Sequence, residues 1–295
     1  SLVDAGIGYA SMQTYVTVMV ALVIVPTGHY NGIIAKRDES MLSAKLGVRM
    51  IPGTGTTVNV PLDNEADGEF VVTGEASGFD RDAPALSTVA MTLLKYTKKI
   101  ELSYELLQDE DSRLMAFLAD FVGRGMAKTH NDLLLTEVAA NGTQFKEFAS
   151  ATVIAVNELE TIPFNSALGN YLDEAGSVGW VMQRPVHGEI VLLDDANTRR
   201  YASNTMPDST GVFAPSLLGY PVHYSAKAGL TAANAKSVFF GNWNFVGKRE
   251  APGFTVLRDP YSKAENGQVV LHYYFRTVYD VLQAEAIGYG DHPTA

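Results

Sequence analysis

The sequence lacks cysteine altogether. None of its 295 residues is a cysteine, so a disulfide framework, a thiol nucleophile and a cysteine-ligated metal site are excluded. Long apolar runs are scarce as well: the longest, at positions 16–26, is VTVMVALVIVP, and it is shorter than the ~20 residues that cross a bilayer. No basic residue precedes it, so the charged flank of a signal peptide is missing. We expect this run to be a buried strand or an edge covered by a neighbour, without a membrane partner.

The sequence contains fewer basic than acidic residues. Lysine and arginine together number 22 against 33 acidic residues, which gives a formal net charge of −11. An acidic surface repels phosphates and disfavours sequence-specific binding of nucleic acid. The sequence also contains no G-x-S-x-G nucleophile turn, its glycine-rich stretch at 53–57 has no phosphate-binding lysine, and its six histidines show no metal-ligand spacing. These patterns favour a protein that is not an enzyme and needs no cofactor.

One acidic stretch is similar to the start of a calcium-binding loop. It is DNEADG at positions 63–68. Such a loop needs a bidentate acid at its twelfth position, but that position is Gly74, and Glu75 comes one residue late. We therefore interpret the stretch as the solvated tip of a β-hairpin and expect no metal site.

The pattern from 56 to 142 predicts a long hairpin, a strand and a long helix. Residues 56–62 alternate as a strand does, and residues 90–94 have strand composition, with a polar, turn-rich segment between them. A projecting hairpin has no core of its own, so it needs another surface to lie on. A strand at 95–102 precedes a helix that begins between 109 and 112 and ends at Asn141-Gly142. Gly123 and Gly125 within this helix indicate a bend or a close neighbour.

The remaining pattern mixes helices and strands without a regular βαβα alternation, which favours the α+β class. Helices are expected within 152–174, interrupted at Pro163, and over 185–193, followed by a loop at 194–204. Strands are expected at 178–182, 218–222, 237–240, 254–258, 269–282 and 284–289. In the long strand, Val269, Leu271, Tyr273 and Phe275 are expected on one side and His272, Tyr274 and Arg276 on the other. Residues 1–40 predict an extended arm that needs a partner to order it.

Six motifs occur in the order typical of tailed-bacteriophage major capsid proteins of the Hong Kong 97-type fold. They are EFVVTGEAS at 69–77, SYELLQD at 103–109, VMQRP at 181–185 followed by LLDD at 192–195 and Arg200-Tyr201, LGYPV at 218–222, FGNW at 240–243, and the strand that carries Arg276. Over about 69–289 the sequence resembles this family.

The resemblance implies an α+β Hong Kong 97-like fold with four parts. These are an N-terminal arm (1–40), an extended β-hairpin loop (55–92), a peripheral domain with a long spine helix (41–54, 93–150 and 248–282) and an axial domain (151–247 and 283–295). It implies a structural protein that self-assembles into hexamers and pentamers of an icosahedral shell around double-stranded DNA. The expected location is the virion capsid, assembled in the host cytoplasm. Further implied partners are a portal, a scaffold or maturation protease and, optionally, a decoration protein.

Two alternatives stay open at this point. An encapsulin-like nanocompartment shell protein shares the fold, although encapsulins usually start with a cargo-docking helix and not with a long arm such as 1–40. A hydrolase with an unrecognised site is the remote alternative.

The founding member of the fold joins its subunits by an isopeptide bond between a lysine in the extended loop and an asparagine in the peripheral domain, assisted by a glutamate. Here no lysine lies between Lys45 and Lys95. Tyr274 stands in the place expected for the glutamate, and Gly267 or Gln268 in that of the asparagine. We therefore expect no cross-link of this kind.

The candidate functional residues are charged side chains at expected contacts between subunits. They are Glu75, Arg81, Lys98, Lys99, Glu105, Asp109 and Arg276. Lys95, Lys98 and Lys99 form the densest basic cluster, and acidic residues follow at 105–111. This pattern indicates either a solvated face or salt bridges between a basic strand and the acidic turn of a neighbouring subunit.

Overall fold

The structure is a computed structural model. It describes residues 33–34, 36–37, 40–63, 72–75, 78, 86–109, 111–173, 177–195, 198–199, 205–207, 213–251 and 253–294. Most of the expected arm, the apolar run at 16–26, Arg81 and the Arg200-Tyr201 motif lie outside these residues. The chain forms two compact units: a smaller one of Ser1–Ser40, Lys95–Ala127 and Ala251–Arg276, and a larger one of Met41–Leu94, Lys128–Glu250 and Thr277–Ala295. The domain boundaries implied by the resemblance remain a prediction.

The helices largely follow the sequence pattern. They span Leu42–Lys45 (α1), Tyr104–Asp109 (α2), Asp111–Asn141 (α3), Val156–Glu160 (α4), Ser166–Leu172 (α5) and Arg184–Val191 (α6), with 3-10 turns at Trp243–Phe245, Ala264–Asn266 and Ala284–Ala286. Helix α3 has the predicted start and end, and the predicted interruption at Pro163 separates α4 from α5.

Strands make up most of the remaining structure. They span Arg49–Met50 (β1), Thr57–Asp63 (β2), Leu86–Thr92 (β3), Leu94–Ser103 (β4), Thr143–Glu147 (β5), Val178–Met182 (β6), Asp194–Asp195 (β7), Thr198–Arg199 (β8), Thr205–Pro207 (β9), Phe213–Leu217 (β10), Tyr220–Tyr224 (β11), Lys236–Asn242 (β12), Val246–Glu250 (β13), Thr255–Asp259 (β14), Gln268–Val281 (β15) and Ile287–Asp291 (β16). The mixture of helix and sheet confirms the α+β class.

Several short elements differ from the sequence pattern, and among them β1, β9, β10 and helix α2 are not predicted. The loop predicted from 194 is wrong at its start, because β7 and β8 pair there as a small antiparallel ribbon. Strands β5 and β13 are absent from the prediction, since TQFKE and VGKRE have too few apolar residues to alternate. They are strands because β16 and β15 supply their hydrogen-bond partners.

The larger unit is built on a seven-stranded sheet of order β5-β16-β12-β6-β11-β10-β9. Strand β6 lies inside it, antiparallel to β12 and parallel to β11. Two aromatic side chains anchor the core: the indole N–H of Trp180 donates to the Leu217 carbonyl, and that of Trp243 donates to the Gly179 carbonyl. Both indoles are fully buried, so these hydrogen bonds satisfy groups that would otherwise be costly to bury.

The smaller unit packs sheet residues against the first part of α3. Leu118, Val122 and Met126 of the helix form one cluster with Tyr273 and Phe275 of β15. The predicted alternation of β15 is confirmed: positions 269, 271, 273 and 275 are buried, whereas Arg276 is exposed. The opposite face of this part of β15 is therefore turned away from the helix.

Gly123 of α3 lies against backbone of the residues before α1. A Cβ atom at this position would meet the Ile33 carbonyl oxygen at 2.7 Å and the Lys36 Cβ at 2.9 Å. Real Cβ contacts are not this short, so the absence of a side chain allows the close approach. This finding confirms the close neighbour that the glycine predicted.

We predict that Gly123→Ala destabilises the unassembled subunit by about 1–3 kcal/mol, because overpacking against backbone outweighs the gain in helix propensity. Urea unfolding of the purified chain measures the change. The matched control is Gly188→Ala in α6, where an added Cβ meets no atom within 4 Å, and it should stabilise by about 0.5–1 kcal/mol. A similar rise for both variants would show that α3 has room at Gly123.

Candidate intersubunit surfaces

The predicted hairpin is present. Strands β2 and β3 pair antiparallel in unbroken register, from Thr57 opposite Thr92 to Asp63 opposite Leu86. Beyond this ladder, Val72 is 97% exposed and Glu75 is exposed as well. A side chain this exposed has no apolar partner among the described residues. The tip is therefore a surface that a neighbour could cover.

The base of the hairpin packs against the larger unit. Ile51, Met91 and Leu282 form a small buried cluster there. Val60, Leu62, Val89 and Val278 are only partly buried against it. Apolar packing thus holds one face of the hairpin near its base and leaves the other face in solvent.

The buried side chain of Arg249 in β13 holds the base of the hairpin through hydrogen bonds. The side chain is 2% exposed. One guanidinium nitrogen donates to the Thr56 carbonyl at 2.8 Å and to the Met91 carbonyl at 3.2 Å, and the other donates to the Gly55 carbonyl at 2.5 Å. A single buried cation therefore bridges the start of one hairpin strand and the end of the other. The sequence gives no signal for this role, because its partners lie far away in the chain.

The smaller unit has a lysine-rich surface, the basic face, on the sheet in which β4 and β14 flank β15. The Lys95 ammonium lies 4.5 Å from the centre of the Tyr274 ring, and the Lys98 ammonium lies 4.0 Å from that of Phe121. These two lysines, together with Lys99, line a cavity of about 360 Å³. Cations held over aromatic rings gain attraction from the ring quadrupole, so these lysines are kept in place.

Two carboxylates lie beside this face. Glu101 pairs with Lys99 at 2.7 Å and with Lys263 at 3.5 Å, and the hydrogen bond from Lys99 lowers the pKa of Glu101. Asp259 lies 3.9 Å from the His272 ring, and hydrogen bonds from Ser262 lower the pKa of Asp259. Both carboxylates are therefore ionised at neutral pH.

The candidate residues are distributed over several surfaces. Lys98 and Lys99 line the cavity. Arg276 is exposed on the same strand as Tyr274, and Glu105 is exposed on α2. Asp109 ends α2, Glu75 belongs to the hairpin tip, and Arg81 lies outside the described residues. Among the candidates that the structure describes, only Lys98 and Lys99 lie together, and the contacts between subunits stay a prediction.

A pair of carboxyl groups joins α3 to β15 in the larger unit. The Asp280 side chain shares a hydrogen bond with Glu137, and burial, followed by the charge of Glu137, raises the pKa of Asp280 to about 6. Asn141 donates a second hydrogen bond to the Glu137 carboxylate. Two carboxyl groups can share a hydrogen bond only when one of them is protonated, so this contact depends on pH.

Within the described ranges, no group of three or more histidine, aspartate or glutamate side chains could hold a metal ion. None of the described helices is long and apolar enough to cross a membrane.

The sequence profile of the phage capsid family matches residues 22–291. The chain belongs to the phage capsid family. It is a major capsid protein that assembles with copies of itself into an icosahedral shell, and it resides in the virion capsid. No curated protein sequence matches it significantly.

Solved capsids show the fold. The capsid of an empty GTA particle is 20% identical, with a TM-score of 0.63 over 86% of this chain and 90% of that one. A structure from Mycobacterium phage Adephagia is 12% identical, with a TM-score of 0.62 over 88% and 90% of the two chains. The mature capsid of bacteriophage PhiM1 is 11% identical, with a TM-score of 0.57 over 82% and 84%. The expected Hong Kong 97-type fold is therefore confirmed.

We predict that Arg249→Ala destabilises the unassembled capsid subunit by about 3 kcal/mol or more, because it replaces a fully buried side chain by a void and removes the hydrogen bonds to the carbonyls of Gly55, Thr56 and Met91. Urea unfolding measures the loss. Arg276→Ala removes an exposed arginine and should change the free energy of unfolding by less than about 0.5 kcal/mol. Equal effects of the two substitutions would contradict the role assigned to Arg249.

We predict that Asp280 makes the capsid subunit less stable as pH rises. The pKa of Asp280 in the folded chain, about 6, lies above its ordinary value of 3.8, so the folded state holds the proton more tightly. The resulting stabilisation is complete below about pH 3.8 and is lost as pH rises through about 6. Because solvent partly screens the pair, we expect its size to be on the order of 1 kcal/mol.

Asp280→Asn keeps a neutral hydrogen-bond donor and should therefore raise the free energy of unfolding at pH 8 while leaving it nearly unchanged at pH 4. Unfolding curves at both pH values measure this difference. Asp173→Asn, at an exposed position of the same unit, is the control and should show little effect at either pH. A stability loss at pH 8 for Asp280→Asn would overturn the assignment.

Proposed function

We propose that this capsid protein forms hexamers and pentamers that close around double-stranded DNA. The observation that carries the proposal is the hairpin, whose described tip exposes Val72 completely and which has a packed base but no core of its own. A hairpin of this kind is stable when it lies on another surface. In a closed shell that surface belongs to a neighbouring subunit.

The charge of the chain suits a container for DNA. A formal net charge of −11 repels the phosphate backbone, so an enclosed genome does not adhere to the wall. Genome entry then depends on a portal and its motor. The protein acts by assembly in the host cytoplasm and not by catalysis, with a scaffold or maturation protease and, optionally, a decoration protein as further partners.

Electron microscopy of purified particles tests the proposal, together with analysis of their contents. We expect closed polyhedral particles that protect double-stranded DNA from added nuclease. Closed particles that hold protein cargo and no DNA would favour the encapsulin-like nanocompartment. A monodisperse monomer or small oligomer under all assembly conditions would contradict the shell.

We predict that mature particles dissociate to a single monomer band on a denaturing gel. The reason is that no lysine lies between Lys45 and Lys95, so the extended loop has no amine for an isopeptide bond. Mass spectrometry of the digested particles is the second measurement. A ladder of covalent oligomers joined through lysine and asparagine would contradict this prediction.

A further inference from the structure

The basic cavity of the smaller unit has the composition of a binding site for an anionic group. It lies where β4, β14 and β15 adjoin, and it is bordered by Lys95, Lys98, Lys99, Leu257, His272 and Tyr274. Tyr273 and Phe275 of β15 pack towards α3. His272 and Tyr274 alternate with them along the strand, so the side chains of His272 and Tyr274 point to the other side of the sheet.

The charges of this region do not cancel among the described residues. The cavity lining contains three lysines and no carboxylate, and the Glu101 carboxylate nearby is shared by Lys99 and Lys263. Because the whole chain carries a formal net charge of −11, a positive region of this kind attracts other copies of the chain.

The apolar surroundings indicate that the ligand is a peptide segment and not a nucleic acid. Leu257 is 56% exposed at the cavity, and an aliphatic side chain offers no stacking surface for a base. The Tyr274 ring is covered by the Lys95 ammonium and is thereby withdrawn from base stacking, the interaction that proteins use for single strands. A segment with carboxylates beside apolar side chains fits both properties.

Helix α2 has this composition. Positions 105 and 109 are both acidic and lie four residues apart, so they share one face of the helix. Tyr104 and Leu106 are 41% and 43% exposed on the same helix. Its start is fixed in place, because the Tyr104 amide donates to the Gly267 carbonyl at 2.8 Å and the Leu106 amide donates to the Ser103 hydroxyl at 3.2 Å.

We propose that the basic cavity of one subunit receives helix α2 of a second copy of the chain. Strand β4 carries the lysines near its start, and α2 directly follows its end. At about 3.3 Å per residue, Lys95 and Glu105 are roughly 30 Å apart along the chain. Because the cavity and α2 are different surfaces of identical chains, their contact is head-to-tail, and a head-to-tail contact generates a closed ring when its rotation closes.

This inference rests on the proposed shell, whose rings it would help to build, and a charge exchange in the full-length chain tests it. We expect Lys95→Glu with Lys99→Glu to lower the yield of particles at least about tenfold, because like charges then meet at the contact. Adding Glu105→Lys and Asp109→Lys to the same chain should restore particles. Sedimentation and electron microscopy give the yields, and urea unfolding verifies that each variant folds.

The matched control is Lys45→Glu with Lys128→Glu, which makes the same change in net charge at exposed positions of the larger unit and should assemble normally. Mixing the cavity variant with a chain that carries Glu105→Lys and Asp109→Lys should also restore six-membered rings, because the two chains can alternate there so that each surface meets an opposite charge. This mixing experiment keeps the test valid if the chain with all four substitutions fails to fold.

Three results would overturn the inference while leaving the shell intact. The first is normal assembly of the Lys95→Glu, Lys99→Glu variant. The second is normal particles that hold less DNA, which would make the cavity a phosphate contact. The third is rescue by Asp63→Lys with Glu75→Lys and not by the α2 exchange, which would make the hairpin the occupant. Failure of the unaltered chain to form particles would instead contradict the proposed shell.

Discussion

A two-stranded hairpin cannot bury enough apolar surface to hold itself in place, and this limit governs the capsid subunit. Strands β2 and β3 satisfy each other's backbone groups, but only their base meets a core. The buried guanidinium of Arg249 ties both strands to β13 through three backbone carbonyls. The subunit therefore holds the base of the hairpin in place, and the rest of the hairpin needs packing contacts from a neighbouring subunit.

The rest of the molecule shows the same contrast between a packed interior and exposed surfaces. The seven-stranded sheet and its two buried indoles form an interior that needs no partner. The hairpin tip and the basic face of β4 and β15 present apolar and charged groups to solvent. Single exposed ion pairs contribute only about 0–1 kcal/mol, but a closed shell repeats each contact at every subunit. Weak contacts of this kind suit a particle that must assemble without becoming trapped in wrong arrangements.

Much of the fold could be predicted because its signals are local. The hairpin, helix α3 and the alternation of β15 each follow from periodicity within one segment. A glycine inside a helix, such as Gly123, indicates a bend or a close neighbour because it has no side chain. The role of Arg249 could not be predicted, because VGKRE looks like an exposed polar turn until carbonyls nearly 200 positions away in the chain approach it. The cavity likewise needs side chains from three strands, and only Lys95, Lys98 and Lys99 stand close together in sequence.

Hydrogen exchange of the backbone amides tests the central claim most directly, by comparing unassembled subunits with closed particles. The account predicts that amides of β2 and β3 exchange quickly in the free subunit and much more slowly in the particle, whereas those of buried β6 exchange slowly in both. Equal exchange of the hairpin in the two states would show that it needs no neighbour, and that result would contradict the account.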